Sequence, residues 1–152
     1  MNGRVRAFGL TLALLAAPAL AADVKIGDLT ISAPYARATP KGAEVGSAYF
    51  TLRNDGDTPE ALVSVAVDFA APELHQMSDK GGVMNMAELT DGLAIPAHGG
   101  VTLAPGGVHL MLTKLAHPLV KGESFKAKLR FAHAGDVELE FPVGGLGASA
   151  PP

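Results

Sequence analysis

Apolar and polar positions alternate with a period of two along most of this chain, which predicts half-buried strands and no helix of useful length. Residues 24–31 read as a first strand interrupted by a turn or bulge, and residues 32–44, with Pro34, Pro40 and Gly42, as an irregular connection. In 45–52, Ala48, Phe50 and Leu52 oppose Tyr49 and Thr51; Asn54-Asp55-Gly56-Asp57 is then a strong turn signal. Residues 60–69 place Val63, Val65, Val67 and Phe69 on one face. Short extended pieces follow at 73–77, 83–89, 93–95 and 101–103, with a polar turn at 78–82. Alternation resumes in 108–115, where Val108, Leu110 and Leu112 share one face and His109, Met111 and Thr113 the other. The last two strands are the clearest. Ala127, Leu129 and Phe131 point away from Lys126, Lys128 and Arg130, and Val137, Leu139 and Phe141 away from Glu138 and Glu140. Basic residues on one strand facing acidic residues on its neighbour fit a solvated hairpin face.

Seven to nine short antiparallel strands must each bury one face, so the expected fold class is all-β, a sandwich or barrel, with a Greek-key β-sandwich preferred. The opening MNGRVRAFGLTLALLAAPALAADV has basic Arg4 and Arg6, an apolar stretch and a small-residue exit, the pattern of a secretory signal peptide over residues 1–22. One β domain is expected at 23–143, followed by a flexible Gly/Ala/Pro tail at 144–152. No second domain boundary or internal repeat stands out.

Removing the leader takes away two of the twelve basic residues and no acid, leaving a formal charge of −5. An acidic chain with few aromatics gives little support for nucleic-acid binding. The leader's apolar run is short for a bilayer span, so the mature protein is not expected to be integral to the membrane. Cysteine is absent. That excludes disulfides, thiol chemistry and a blue-copper centre built on a cysteine thiolate.

The unusual chemistry lies in 75–111. Apart from Met1, all the methionines fall there (Met77, Met84, Met86 and Met111), with His75 and His109 near its ends. Thioethers are soft neutral ligands that favour copper(I), whereas zinc takes thiolate, imidazole or carboxylate and calcium takes oxygen. His109 and Met111 share a strand face; His75 with Met77, and Met84 with Met86, do the same if their segments are extended. The leading metal set is His75, Met86, His109 and Met111, with Met84 and then Met77 as substitutes for Met86. Met77, Met84 and Met86 each also read as ordinary core packing. His98, His117 and His133 read as surface or turn residues.

His75, ten residues, Met86 and then His109-Leu110-Met111, with GGVMNM at 81–86 and LAIPAHGGVTLAPGGVHLML at 93–112, resemble the signature of the PCu(A)C family of periplasmic copper chaperones. The resemblance runs from Val24 to Val143. It departs in one respect: twenty-two residues separate Met86 from His109, where the family pattern has twenty-one. It implies a cupredoxin-like Greek-key β-sandwich, periplasmic location, and copper(I) held by His75, Met86, His109 and Met111. It further implies delivery toward the copper-A centre of cytochrome c oxidase, directly or through a thioredoxin-like copper donor. A monomeric carrier and not an enzyme is expected. Ser78-Asp79 beside His75 lacks the spacing and nucleophile elbow of a hydrolase. The competing expectation is an exported structural or protein-binding β-sandwich without a metal.

Overall fold

The computed structural model describes residues 22–152, so the expected leader, Ala22 aside, lies outside the described residues. Val24–Ile26 (β1) and Leu29–Arg37 (β2) form a hairpin through Gly27-Asp28, where Gly27 takes a φ of 57°. β2 continues to Arg37 where the sequence predicts an irregular connection. Its pairing with Gly46–Asn54 (β3) shifts register between Ser32 and Tyr35, and Ala33 adopts a φ of 51°. A bulge placed there absorbs the missing donor of Pro34 and lets Ile31 and Ala36 both be buried.

Glu60–Ala66 (β4) corrects a second expectation. Leu62 is fully buried, whereas Val63 is 43% exposed. The register against Ser124–Phe131 (β10) shifts between Arg130 and Phe131, which pair with Ser64 and Leu62. The extra residue reverses the parity of the strand, so the inward face passes from Leu62 to Val67 across the bulge.

Ala71–Lys80 (β5) and Val83–Glu88 (β6) form a hairpin closed by Gly81-Gly82 alone, shorter than the expected turn. Both glycines have positive φ, 67° and 85°, as a two-residue turn matched to strand twist requires. Leu93–Ile95 (β7), Gly99–Thr102 (β8), Val108–Thr113 (β9) and Gly135–Gly144 (β11) complete the strands among the described residues.

One layer has the order β6-β5-β9-β3-β2, with β1 on β2 and β8 on β3; the other has the order β11-β10-β4-β7. β11 joins them, antiparallel to β10 and then parallel to β2 at Val143 and Gly144. This mixed topology is a cupredoxin-like Greek-key β-sandwich. Between the layers, Phe50 meets Phe141 edge-on at 5.7 Å and Phe141 stacks on Phe125 at 5.3 Å. Leu110 and Leu112 of β9 are fully buried in this core. Each such side chain contributes about 1.5–3 kcal/mol on burial, which fixes β9 and turns His109 and Met111 to the opposite, outer face.

The final hairpin follows its sequence pattern. Lys126, Lys128 and Arg130 lie opposite Glu140, Glu138 and Asp136, and the Arg130–Asp136 ion pair closes at 2.8 Å. Beyond β11 the chain turns back, and the Ala148 carbonyl accepts a 2.8 Å hydrogen bond from Arg37 Nε.

Candidate metal centre

Three adjacent strands, β6, β5 and β9, build the candidate site on the outer face of the first layer. β5 pairs antiparallel with β9 so that His75 lies opposite His109 and Glu73 opposite Met111. On its other edge β5 pairs with β6, placing Glu88 opposite His75, Met86 opposite Met77 and Met84 opposite Asp79. Directly paired residues project to the same face. All six candidate donors of the sequence, the two histidines and four methionines, therefore stand on one surface.

The two imidazoles meet. Their ring centroids are 5.8 Å apart, with the planes inclined by 36°. His109 is buried, and its Nδ1 lies 3.1 Å from the Gly107 carbonyl oxygen. A carbonyl only accepts, so Nδ1 carries the hydrogen and Nε2 keeps its lone pair. At His75 the roles are exchanged: Nε2 donates to Glu73 Oε2 at 2.9 Å. The hydrogen bond from His75 is the main influence holding the Glu73 carboxyl below its ordinary range, with Thr113 Oγ1 donating to the second oxygen at 3.3 Å. The lone pair of His75 then falls on Nδ1, a buried atom without a hydrogen-bond partner. An unsatisfied buried nitrogen costs about 1–3 kcal/mol. A metal ion would satisfy it, and a carboxylate on the far nitrogen is the usual support of a metal-binding imidazole. The residues fit a soft cation.

The sulfurs are less evenly placed. Met111 and Met77 line, with His109, an open cleft of about 430 Å³ whose other walls include Arg37, Tyr49 and Leu146. Arg37 lies over the Tyr49 ring, 5.6 Å from its centroid. Met86 is outside that lining, 49% exposed on the edge strand. From Met86 to Met111 the register spans two strands and four residues, roughly 17 Å between Cα atoms in a flat sheet. Two extended methionines do not bridge that span to one ion. A shell containing both needs the β5–β6 hairpin to curl over His75.

The periodicity that groups His109 with Met111 also puts Glu73, two residues before His75, on the same face, a signal by which the sequence could have disclosed it. The Gly107 carbonyl had no sequence signal. The other histidines are engaged elsewhere: His98 with Asp57 at 2.7 Å, His117 against the Phe69 ring at 4.6 Å, and His133 with Glu60 at 3.2 Å. Among the described residues no three His, Cys, Asp or Glu side chains converge as a metal cluster. That observation disfavours a zinc- or calcium-type site; it does not bear on thioethers.

The profile of the family described as "Putative lipoprotein LpqE-like" matches residues 29–143. A relative from Leifsonia xyli subsp. xyli (strain CTCB07), also described as a lipoprotein, is 32% identical over 103 residues, which are 67% of this chain and 62% of that protein. The match thus spans less than two thirds of that relative's length. The apo PCuAC domain from PmoF1 has a TM-score of 0.69 at 27% identity, covering 82% of this chain and 99% of that domain. The solution structure of CuI-DR1885 from Deinococcus radiodurans has a TM-score of 0.62 at 30% identity, covering 84% and 83%. On these matches and the fold they share, the chain belongs to the LpqE-like family, with the domain of the PCuAC-like copper chaperones.

Proposed function

We propose that this protein is an exported carrier of copper(I), its copper-binding unit spanning residues 23–143. His75 Nδ1 and His109 Nε2 hold the ion from paired strands, Met111 adds a thioether from the cleft side, and Met86 completes the shell as the hairpin curls inward. The buried, unpartnered Nδ1 of His75, on a ring centred 5.8 Å from an imidazole whose Nδ1 is turned to the Gly107 carbonyl, carries this reading. The relative described as CuI-DR1885 supports it by likeness of sequence and fold.

The ligand set suits a carrier. Soft neutral sulfurs retain the cuprous ion and disfavour the cupric one, while an open cleft beside His109 and Met111 admits an acceptor's ligands before all the donor ligands leave. No bare ion then forms. The acceptor we favour is the copper-A subunit of cytochrome c oxidase or a thioredoxin-like copper donor, which places the work in the periplasm. Among the described residues no helix is long and apolar enough to cross a membrane.

A second reading, a metal-free protein-binding sandwich, has its own observation: Met86 and Met111 lie far apart in the register. Anaerobic copper(I) titration against a chromogenic chelator, on the mature protein and on M84A, M86A and M111A, separates the two. The carrier reading expects one tight equivalent weakened most by M111A and M86A. Absence of stoichiometric uptake leaves the metal-free reading.

A further inference from the structure

The register that separates Met86 from Met111 brings it directly opposite Met77, with Met84 two residues along the same face of β6. We propose that Met77, Met84 and Met86 form a second, all-thioether position for a soft monovalent cation, on the β5–β6 hairpin outside the imidazole pair. This inference deepens the copper(I) reading and rests on it for the identity of the cargo, but none of its ligands is a histidine.

Directly paired strand residues have Cβ atoms about 4.5–5.5 Å apart and diagonal neighbours stand about 7–8 Å apart. At such positions three flexible thioethers reach one ion once the Met77 side chain turns from the cleft toward β6, with no backbone movement, unlike the shell that joins Met86 to Met111. Packing does not account for Met84 and Met86, the two members on β6. Met84 is 54% exposed and Met86 49%, and every residue of β6 is exposed. Edge strands are ordinarily guarded by charges or proline, yet this one shows two large apolar side chains on one face. Both carry sulfur and face a third across the ladder. Asp79 lies opposite Met84, and Glu88 follows Met86 on the same face. Neutral thioethers bring no charge to a cation; these carboxylates supply it at either end.

Met86 belongs to both positions. With the hairpin extended it pairs with Met77 and Met84; curled, it reaches the histidines. A cuprous ion captured on the exposed sulfurs thereby passes to the inner site by movement of one ligand. With two ions present, each position holds one, the inner through His75, His109 and Met111.

The test uses silver(I), a redox-inert probe with the same soft preference, on the full mature chain with ¹³C-methyl-labelled methionine, and on M84L. Native mass spectrometry counts the ions; methyl NMR shows which sulfurs they touch. The wild type is expected to bind two equivalents. The first shifts the Met111 methyl, and the second shifts those of Met77 and Met84. M84L is expected to keep the Met111 shift and to bind the second equivalent at least 10-fold more weakly. Unmoved Met77 and Met84 methyls in the wild type, or an unaltered second equivalent in M84L, overturns the proposal. If the Met77 and Met84 methyls move while Met111 stays still, the inner site fails and the outer one stands.

Discussion

Replacing Glu73 by glutamine tests the candidate centre through a residue that touches no metal in the proposed shell. Glu73 accepts the 2.9 Å hydrogen bond from His75 Nε2, and this bond leaves the His75 lone pair on the buried Nδ1. Glutamine keeps the shape and an accepting carbonyl, but loses the negative charge and adds an NH₂ that can meet Nε2 instead. In that orientation Nε2 must accept, the hydrogen moves to Nδ1, and the ring presents N–H to the ion. Loss of such a supporting carboxylate lowers metal affinity about 10- to 100-fold, or roughly 1.4–2.7 kcal/mol. Anaerobic competition against a cuprous chelator reads the affinity, and imidazole ¹⁵N shifts read the tautomer of apo E73Q. The variant should bind 10- to 100-fold more weakly, with a measurable fraction of the Nδ1–H form of His75. Unchanged affinity in E73Q, together with complete loss in H75A, would refute the claim that Glu73 sets the ligand-ready tautomer.

Loading should also stabilise the fold: at free copper(I) 1,000-fold above its dissociation constant, about 4 kcal/mol is added, read as a rise in Tm that H109A abolishes. Leu110→Ala removes a fully buried side chain from the core beneath the site, and chemical denaturation should show a loss of about 3–5 kcal/mol. Glu60 provides a test at the far end of the sandwich, where its carboxylate accepts from the backbone of Ala61, His133 and Ala134 at 2.8–3.2 Å. E60A should cost about 2–3 kcal/mol at neutral pH, as for hydrogen bonds to a charged group. Burial pushes the Glu60 carboxyl up, but these hydrogen bonds outweigh it, and the net displacement is below the ordinary 4.5. A depressed folded value means stability fully present above about pH 4.5 and lost as pH falls through that lower value. The difference between wild type and E60A should therefore shrink in urea melts taken progressively below that pH; a gap of constant size would count against the ionised cap.

Much of the fold is legible in the sequence because strand burial has a fixed period. The alternation at 125–131 and 137–141 specifies a hairpin whose inward Leu129, Leu139 and Phe141 are buried, and the charge pattern names the partners across the ladder. Two of the misread segments carry a bulge. At Ser32 to Tyr35 and at Val63 a bulge inserts one residue, and a single insertion reverses every later side chain while leaving the local apolar count unchanged. Bulges answer to the partner strand's register, which local composition does not encode. The site divides in the same way. His109 with Met111 is a same-strand relation and readable; His75 opposite His109 depends on β5 and β9 becoming neighbours across more than thirty residues of chain.

That division bears on why the metal set straddles the best and least supported parts of the sheet. β9 is held between β5 and β3 and rooted in the core by Leu110 and Leu112, so His109 and Met111 are fixed donors. β6 has one strand neighbour and no buried residue, so bending it disturbs little packing. A shell built wholly on β9 and β5 would be rigid and slow to release its ion; one built wholly on β6 would rest on an edge strand that no core packing holds. Placing the nitrogens inside and the exchangeable sulfur at the edge separates retention from release, and makes a specific demand. A disulfide clamping β6 to β5 in its extended register, engineered at Ser78 and Asn85, a directly paired position facing away from the site, should leave the imidazole pair intact yet weaken the first copper(I) equivalent by denying Met86 to it. Equal affinity in the oxidised variant and the cysteine-free wild type would show that the hairpin does not close, and Met86 would have to be struck from the inner shell.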